Sequence, residues 1–150
     1  LSGLEPPYAV ILPSSSAAKP SKRWPIDNYV HLARALKKEG LQPVLSGTEI
    51  DRPVTSQIAA AYADCLDLTG KPNLFFLAEL VLGSSLVIGN DTGPVFLAAR
   101  LNAPTLMLMG ADTDASMSAP YGKKAWWIQK DMLEQLSYEE VWETVKLALE

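Results

Sequence analysis

Short blocks of apolar residues recur along the chain, and the stretches between them carry apolar positions at helical spacing. Tyr8-Ala-Val-Ile-Leu12 is an unbroken apolar run closed by Pro13, the pattern of a strand buried on both faces. Pro25 suits the first turn of a helix. Tyr29, Leu32, Ala33 and Leu36 follow at i, i+3, i+4 and i+7, so this helix buries one face and ends near Gly40. Pro43 to Leu45 reads as a second strand, residues 53 to 63 as a helix, and Cys65 to Leu68 as a third strand. Asn73 is placed to cap a helix whose Leu74, Leu77, Ala78 and Val81 share a side. Ser85 to Ile88 is a fourth strand, Pro94 to Leu101 a helix, Pro104 to Met109 a fifth strand and Ala125 to Ile128 a sixth. Ser137-Tyr-Glu-Glu140 has the form of a capping box, opening a last helix with Val141, Trp142, Val145 and Leu149 on one side.

Apolar strands alternating with amphipathic helices predict an α/β fold: a Rossmann-like, doubly wound parallel sheet of about six strands with helices on both faces. Such sheets bind ligands at the carboxyl ends of their strands, where loops open the following helices. Those loops carry the polar chemistry of this chain. Pro13-Ser-Ser-Ser16 follows the first strand, with Lys19, Ser21, Lys22 and Arg23 just before the helix at Pro25. Hydroxyls and cations at a helix N-terminus suit a phosphate, although a solvated basic loop has the same composition. The loop has neither GxxxxGK[ST] nor GxGxxG. Glu49, after the second strand, is placed either to bind a ribose hydroxyl pair or simply to favour a helix start.

The fourth strand runs into Asn90-Asp-Thr-Gly93. An Asp-Thr-Gly triplet is also the signature of aspartic proteases, but those need an all-β fold, whereas here the triplet joins a strand to a helix. Thr92 then reads as an N-cap, and Gly93 lets backbone N–H groups come close to a ligand. Among the remaining single residues, His31 reads as a helix surface or packing residue. Trp126, Trp127 and Trp142 read as core, Trp24 as an anchor holding the basic loop on its helix, and Cys65 as a core thiol.

The totals narrow the function. At 150 residues the chain has the size of one domain, and 48% hydrophobic with 20% charged residues is an ordinary globular balance. A net charge of −4 argues against a nucleic-acid partner. One cysteine excludes an internal disulfide, and one histidine leaves no His-rich metal site. No apolar run approaches the roughly 18 residues of a membrane span. The chain begins at Leu1 rather than Met, which points to a piece of a longer protein.

Taken in order, PSSSAAKPSKRWP, VLSGTEID, LTGKPNLFFLAEL, IGNDTGPVFLAARLNAPTLMLMG and APYG resemble the C-terminal half of the glycosyltransferase family 9 enzymes, the ADP-heptose:lipopolysaccharide heptosyltransferases. The likeness covers roughly residues 8 to 122. It implies a GT-B architecture of two Rossmann-like domains, with residues 1 to 150 as the single domain that binds the nucleotide-sugar donor, ADP-heptose. A lipid-linked saccharide acceptor and the catalytic base then belong to the other domain, and no catalytic residue is expected here. On this likeness Ser14, Ser15, Lys22, Asp91, Thr92 and Gly93 would meet the donor's phosphates and sugar, and Glu49, Gly70 and Pro72 its nucleoside. Inverting transfer needs a base at the acceptor and positive charge at the leaving diphosphate. Lys22 and helix N–H groups would supply that charge, so neither metal nor cofactor is expected. The resemblance also implies a cytoplasmic enzyme, with a peripheral position at the inner membrane face open to the full-length protein.

Three positions depart from the family pattern. Ser14 stands where members usually have Gly, Phe96 where DTGxxH has His, and the loop from 110 to 122 has no Arg or Lys. These departures keep open a second reading, a divergent nucleotide or sugar-nucleotide binding module without catalysis. A free-standing flavodoxin-like domain with another ligand is a third.

Overall fold

A computed structural model describes residues 4–13, 23–71, 73–90, 92–110 and 124–150. Six strands, β1 (Tyr8–Leu12), β2 (Gln42–Leu45), β3 (Leu66–Asp67), β4 (Leu86–Asn90), β5 (Thr105–Met109) and β6 (Ala125–Gln129), form one sheet in the order β3-β2-β1-β4-β5-β6. Every neighbouring pair is parallel. Among the described residues five helices connect or follow them: α1 (Ile26–Lys38), α2 (Arg52–Ala61), α3 (Leu74–Leu82), α4 (Gly93–Arg100) and α5 (Tyr138–Leu149). The expected doubly wound α/β fold is observed.

The two-residue period of the strands divides the core. From β1, Ala9 and Ile11 join α1, α2 and α5 through Leu32, Leu36, Ile58, Val141 and Val145. Tyr8, Val10 and Leu12 face the other way and join α3 and α4 through Leu80, Val81, Val95 and Ala98. Because β1, β2, β4 and β5 are covered on both sides, their residues are apolar almost throughout, and the short apolar runs in the sequence are explained.

Several local expectations need correction. Pro25 sits one residue before α1 rather than in its first turn: its ψ of 143° is extended, and its carbonyl accepts from the N–H groups of Asn28 and Tyr29. The third strand is only Leu66–Asp67 instead of Cys65 to Leu68. Cys65 N–H is tied back to Tyr62 at 3.2 Å, and Asp67 Oδ1 accepts from Thr69 N–H at 3.0 Å, so a turn stands at each end of the strand. Ser137 Oγ caps α5 by accepting from Glu140 N–H at 3.1 Å, but the Glu140 carboxylate turns to Lys130 instead of completing the box. Trp127 is not core: it is 48% exposed, because the strand period puts it on the opposite face of edge strand β6 from Trp126, which packs against the α1–α5 core. Trp142 is partly buried against that same core.

Other expectations hold. Asn73 Oδ1 caps α3 by accepting from Phe76 N–H at 2.7 Å. His31 is exposed on α1 and stacks on Tyr138 with ring centroids 3.8 Å apart. Cys65 is buried, and burial pushes its thiol up to about 11. Trp24 is buried, donates Nε1–H to the Leu136 carbonyl at 2.8 Å, and meets the Tyr29 ring edge-on; the basic loop it was expected to anchor lies outside the described residues.

Candidate functional site

In this strand order the connections leave β1 and β4 toward opposite faces, so their carboxyl ends open a crevice at the point where the winding reverses. A cavity of about 330 Å³ lies there. Its walls are Leu12 and Pro13 at the end of β1, Ser46, Gly47, Thr48 and Asp51 after β2, Lys71 and Asn73 before α3, and Thr92 with Pro94 at the start of α4. Leu74, Phe76 and Leu77 of α3 make one side apolar.

The polar rim is organised by the short 3-10 turn Glu49–Asp51 that leads into α2. Asp51 Oδ2 accepts from Thr48 N–H at 2.9 Å and from the Thr48 hydroxyl at 3.3 Å, closing the turn. Glu49 leans away and forms a two-pronged pair with Arg52. Arg52 Nε donates to Glu49 Oε2 and Nη2 to Oε1, each at 2.7 Å. That hydrogen-bonded pair holds the Glu49 carboxyl below the usual carboxylate range. Arg52 Nη2 also donates to the Thr69 carbonyl at 3.0 Å, so one guanidinium ties the loop after β2 to the turn after β3. Gly70, at φ +82°, lies against this pair: a Cβ there would run into both Arg52 Nη2 and Glu49 Oε1. The neighbouring Thr69 hydroxyl is buried and has no hydrogen-bond partner among the described residues.

At the other wall, Thr92 occupies the N-cap position of α4. Its hydroxyl makes no capping bond. The Thr92 carbonyl accepts from the N–H groups of Val95 and Phe96, each at 3.1 Å. Gly93 is exposed, and among the described residues outside its own helix turn no atom lies within 4 Å of where its Cβ would stand. Pro94 has no N–H and those of Val95 and Phe96 are taken by the Thr92 carbonyl, so in this first turn the Gly93 N–H is the one without a partner among the described residues.

The sequence expectations thus divide three ways. Thr92 lines the cavity, and Gly93 adjoins it. Glu49 and Gly70 are brought together, although beside the cavity rather than in its wall. Ser14, Ser15, Lys22, Pro72 and Asp91 lie outside the described residues. Arg52 and Asp51 were not singled out from the sequence. The signal for Arg52 was its i, i+3 spacing from Glu49 at a helix start, which is a common surface pattern and says little alone. Phe96 packs, partly buried, against the apolar cluster shared by β1, β4, α3 and α4.

Comparison with known proteins decides the family. The sequence pattern of glycosyltransferase family 9 (heptosyltransferase) matches residues 2–144. The chain belongs to glycosyltransferase family 9. Among curated members, lipooligosaccharide heptosyltransferase 2 of Haemophilus influenzae is 34% identical over 111 residues, 71% of this chain and 32% of the relative. Among solved structures, Escherichia coli ADP-heptose LPS heptosyltransferase II superposes with a TM-score of 0.86 at 29% identity, over 95% of this chain and 46% of that one. An E. coli heptosyltransferase solved with ADP gives a TM-score of 0.83 at 25% identity, over 94% of this chain and 44% of that one. This family 9 chain thus spans about a third of the length of that curated relative and under half of those solved chains. Among the described residues no helix is long and apolar enough to cross a membrane.

Proposed function

We propose that residues 1 to 150 form one domain, the donor-binding half of a GT-B glycosyltransferase, and that it takes up ADP-heptose for transfer to the lipopolysaccharide inner core. The observation that carries this reading is the start of α4. Thr92 and Pro94 line a cavity at the reversal point of the sheet, and Gly93 between them leaves the helix N-terminus bare. The Gly93 N–H and the positive end of the helix dipole lie together there, which suits a diphosphate. The relative solved with ADP shares the fold over 94% of this chain, which supports an adenine nucleotide as the ligand.

On this reading Ser14, Ser15, Lys22, Asp91, Thr92 and Gly93 serve the phosphates and donor sugar, while Glu49, Gly70 and Pro72 serve the nucleoside. Lys22 and the α4 amides stabilise the diphosphate as it leaves, without a metal. The base and the lipid-linked saccharide acceptor belong to the other half of the enzyme, which works in the cytoplasm. Calorimetric titration of the chain with ADP, ADP-heptose, UDP and GDP tests the reading. Adenine nucleotides bind and the other two bind more weakly; a chain that takes up no adenine nucleotide rejects it. Lys22→Ala and Asp91→Ala each weaken ADP binding, and for Lys22 the loss is about 1.5–3 kcal/mol, the worth of one charge-assisted contact.

One observation favours the second reading, a binding module without catalysis. Phe96 is committed to packing against the apolar cluster, and a phenyl ring supplies neither charge nor a hydrogen bond to a donor. Donor turnover by the full-length protein separates the two. Binding of ADP-heptose without transfer supports the module.

A further inference from the structure

We propose that Arg52 is a positioning residue that sets the Glu49 carboxylate to accept both hydroxyls of a ribose, making this region selective for ribo- over 2′-deoxyribonucleotides. The proposal rests on the donor-binding reading above and goes beyond it by naming what enforces selectivity. An exposed ion pair one helical turn apart is ordinarily worth little. This pair differs in three respects. It is two-pronged, with both carboxylate oxygens bonded to the same planar guanidinium at 2.7 Å. The guanidinium is held in turn by the Thr69 carbonyl at 3.0 Å, seventeen residues along the chain, so the pair is anchored to a second loop. The bare Cα of Gly70 lies against both partners and leaves no room for a side chain between them.

An ionised carboxylate has about four acceptor positions, two on each oxygen. Among the described residues Arg52 occupies one on each, which leaves one further position on each, and the Glu49 side chain remains 69% exposed. Two further acceptor positions on one rigid, planar group match two adjacent hydroxyl donors. Without Arg52 the carboxylate turns freely in water, and each bond to the diol must first overcome that rotational freedom.

The test is calorimetric titration of the whole chain, and of its Arg52→Ala and Arg52→Lys variants, with ADP and with 2′-deoxy-ADP. The wild-type chain binds ADP about tenfold or more tightly than 2′-deoxy-ADP, the loss expected for one hydrogen bond to a charged acceptor. In Arg52→Ala, 2′-deoxy-ADP, which keeps the 3′-hydroxyl bond, weakens modestly, ADP weakens more, and the preference between them narrows to about twofold or less. Arg52→Lys, which can hold only one oxygen, lies between. Circular-dichroism melts confirm that each variant is folded. The idea is overturned if Arg52→Ala keeps the preference, if it weakens both nucleotides equally, or if wild type shows no preference. In those three cases ADP still binds and the donor-binding reading stands. A wild-type chain that binds no ADP removes both.

Discussion

The Tyr29 hydroxyl donates to Asn90 Oδ1 at 3.0 Å, joining the middle of α1 to the last residue of β4, directly before Asp91-Thr92-Gly93. Both side chains are buried, and Trp24 meets Tyr29 edge-on. Burial raises the Tyr29 pKa far above the ordinary tyrosine value, so the phenol stays protonated and the bond persists through neutral and mildly alkaline pH. Tyr29→Phe removes the donor without changing the shape of the ring. We expect a loss of about 1–3 kcal/mol, the cost of leaving a buried polar atom short of a partner. Urea denaturation measures it, with the m-value unchanged. Trp24→Phe, which takes from the Leu136 carbonyl its nearer donor at 2.8 Å and leaves Asn28 Nδ2 at 3.5 Å, belongs to the same range because ring volume is lost as well.

Gly70 and Gly40 make a matched pair. Both lie in the left-handed region, at φ +82° and φ +85°. A side chain at Gly40 meets nothing within 4 Å, whereas one at Gly70 meets the Arg52–Glu49 pair. Gly40→Ala therefore carries only the backbone cost, about 1–2 kcal/mol. Gly70→Ala carries the same backbone cost and also displaces the ion pair. Parallel denaturation curves and ADP titrations separate the two effects: both variants lose stability, and only Gly70→Ala also loses ADP affinity. Equal nucleotide binding by the two variants would falsify a role for the Gly70 surface in the site.

Cys65 gives a pH dependence with a definite sign. Burial raises its thiol from 9.0 to about 11, with the charges of Asp67 and Asp64 pushing the same way. Between those values the native chain holds a proton that the unfolded chain has released. Stability from this group is therefore fully present below about pH 9 and is lost as the pH rises toward 11. Denaturation curves from pH 8 to 11 on wild type and Cys65→Ala test it. Tyrosine titration affects both proteins alike, so their difference shrinks with rising pH. A constant difference would show that the thiol is not held neutral. The same burial makes Cys65 slow to react with iodoacetamide at pH 8.

How far the sequence spoke depended on the range of the interaction. The strands of the inner sheet were legible because residues such as Val10 and Ile88 are buried on whichever face they point to, leaving continuous apolar runs. The third strand was overestimated because Leu68 is as apolar as Leu66. What ends the strand is the Asp67-to-Thr69 hydrogen bond and the turn at Gly70, which no hydropathy pattern records. Trp127 was misjudged for a related reason: a tryptophan pair on an edge strand must put one ring on each face, and only pairing to β5 shows which strand is the edge. At the site, Thr92 and Gly93 followed from their place between a strand and a helix. Arg52 did not, since its contact with the Thr69 carbonyl spans seventeen residues and depends on β2 lying beside β3.

Gly93 offers the most direct separation of function from fold. It is the first residue of α4 and lies in helical rather than left-handed backbone, and among the described residues outside its own helix turn a Cβ there meets no atom within 4 Å. Neither conformation nor packing requires a glycine at this position. Ala is the better helix former, so Gly93→Ala leaves stability unchanged or raises it by up to about 1 kcal/mol. If the α4 N-terminus receives the donor diphosphate, the added methyl group stands where the phosphate oxygens approach the Gly93 N–H. ADP binding then weakens by about tenfold while the melting temperature holds or rises. Thermal melts and calorimetry on the same preparation read both quantities at once. Unchanged ADP affinity would move the diphosphate away from α4, and a drop in stability would mean that glycine serves the fold after all.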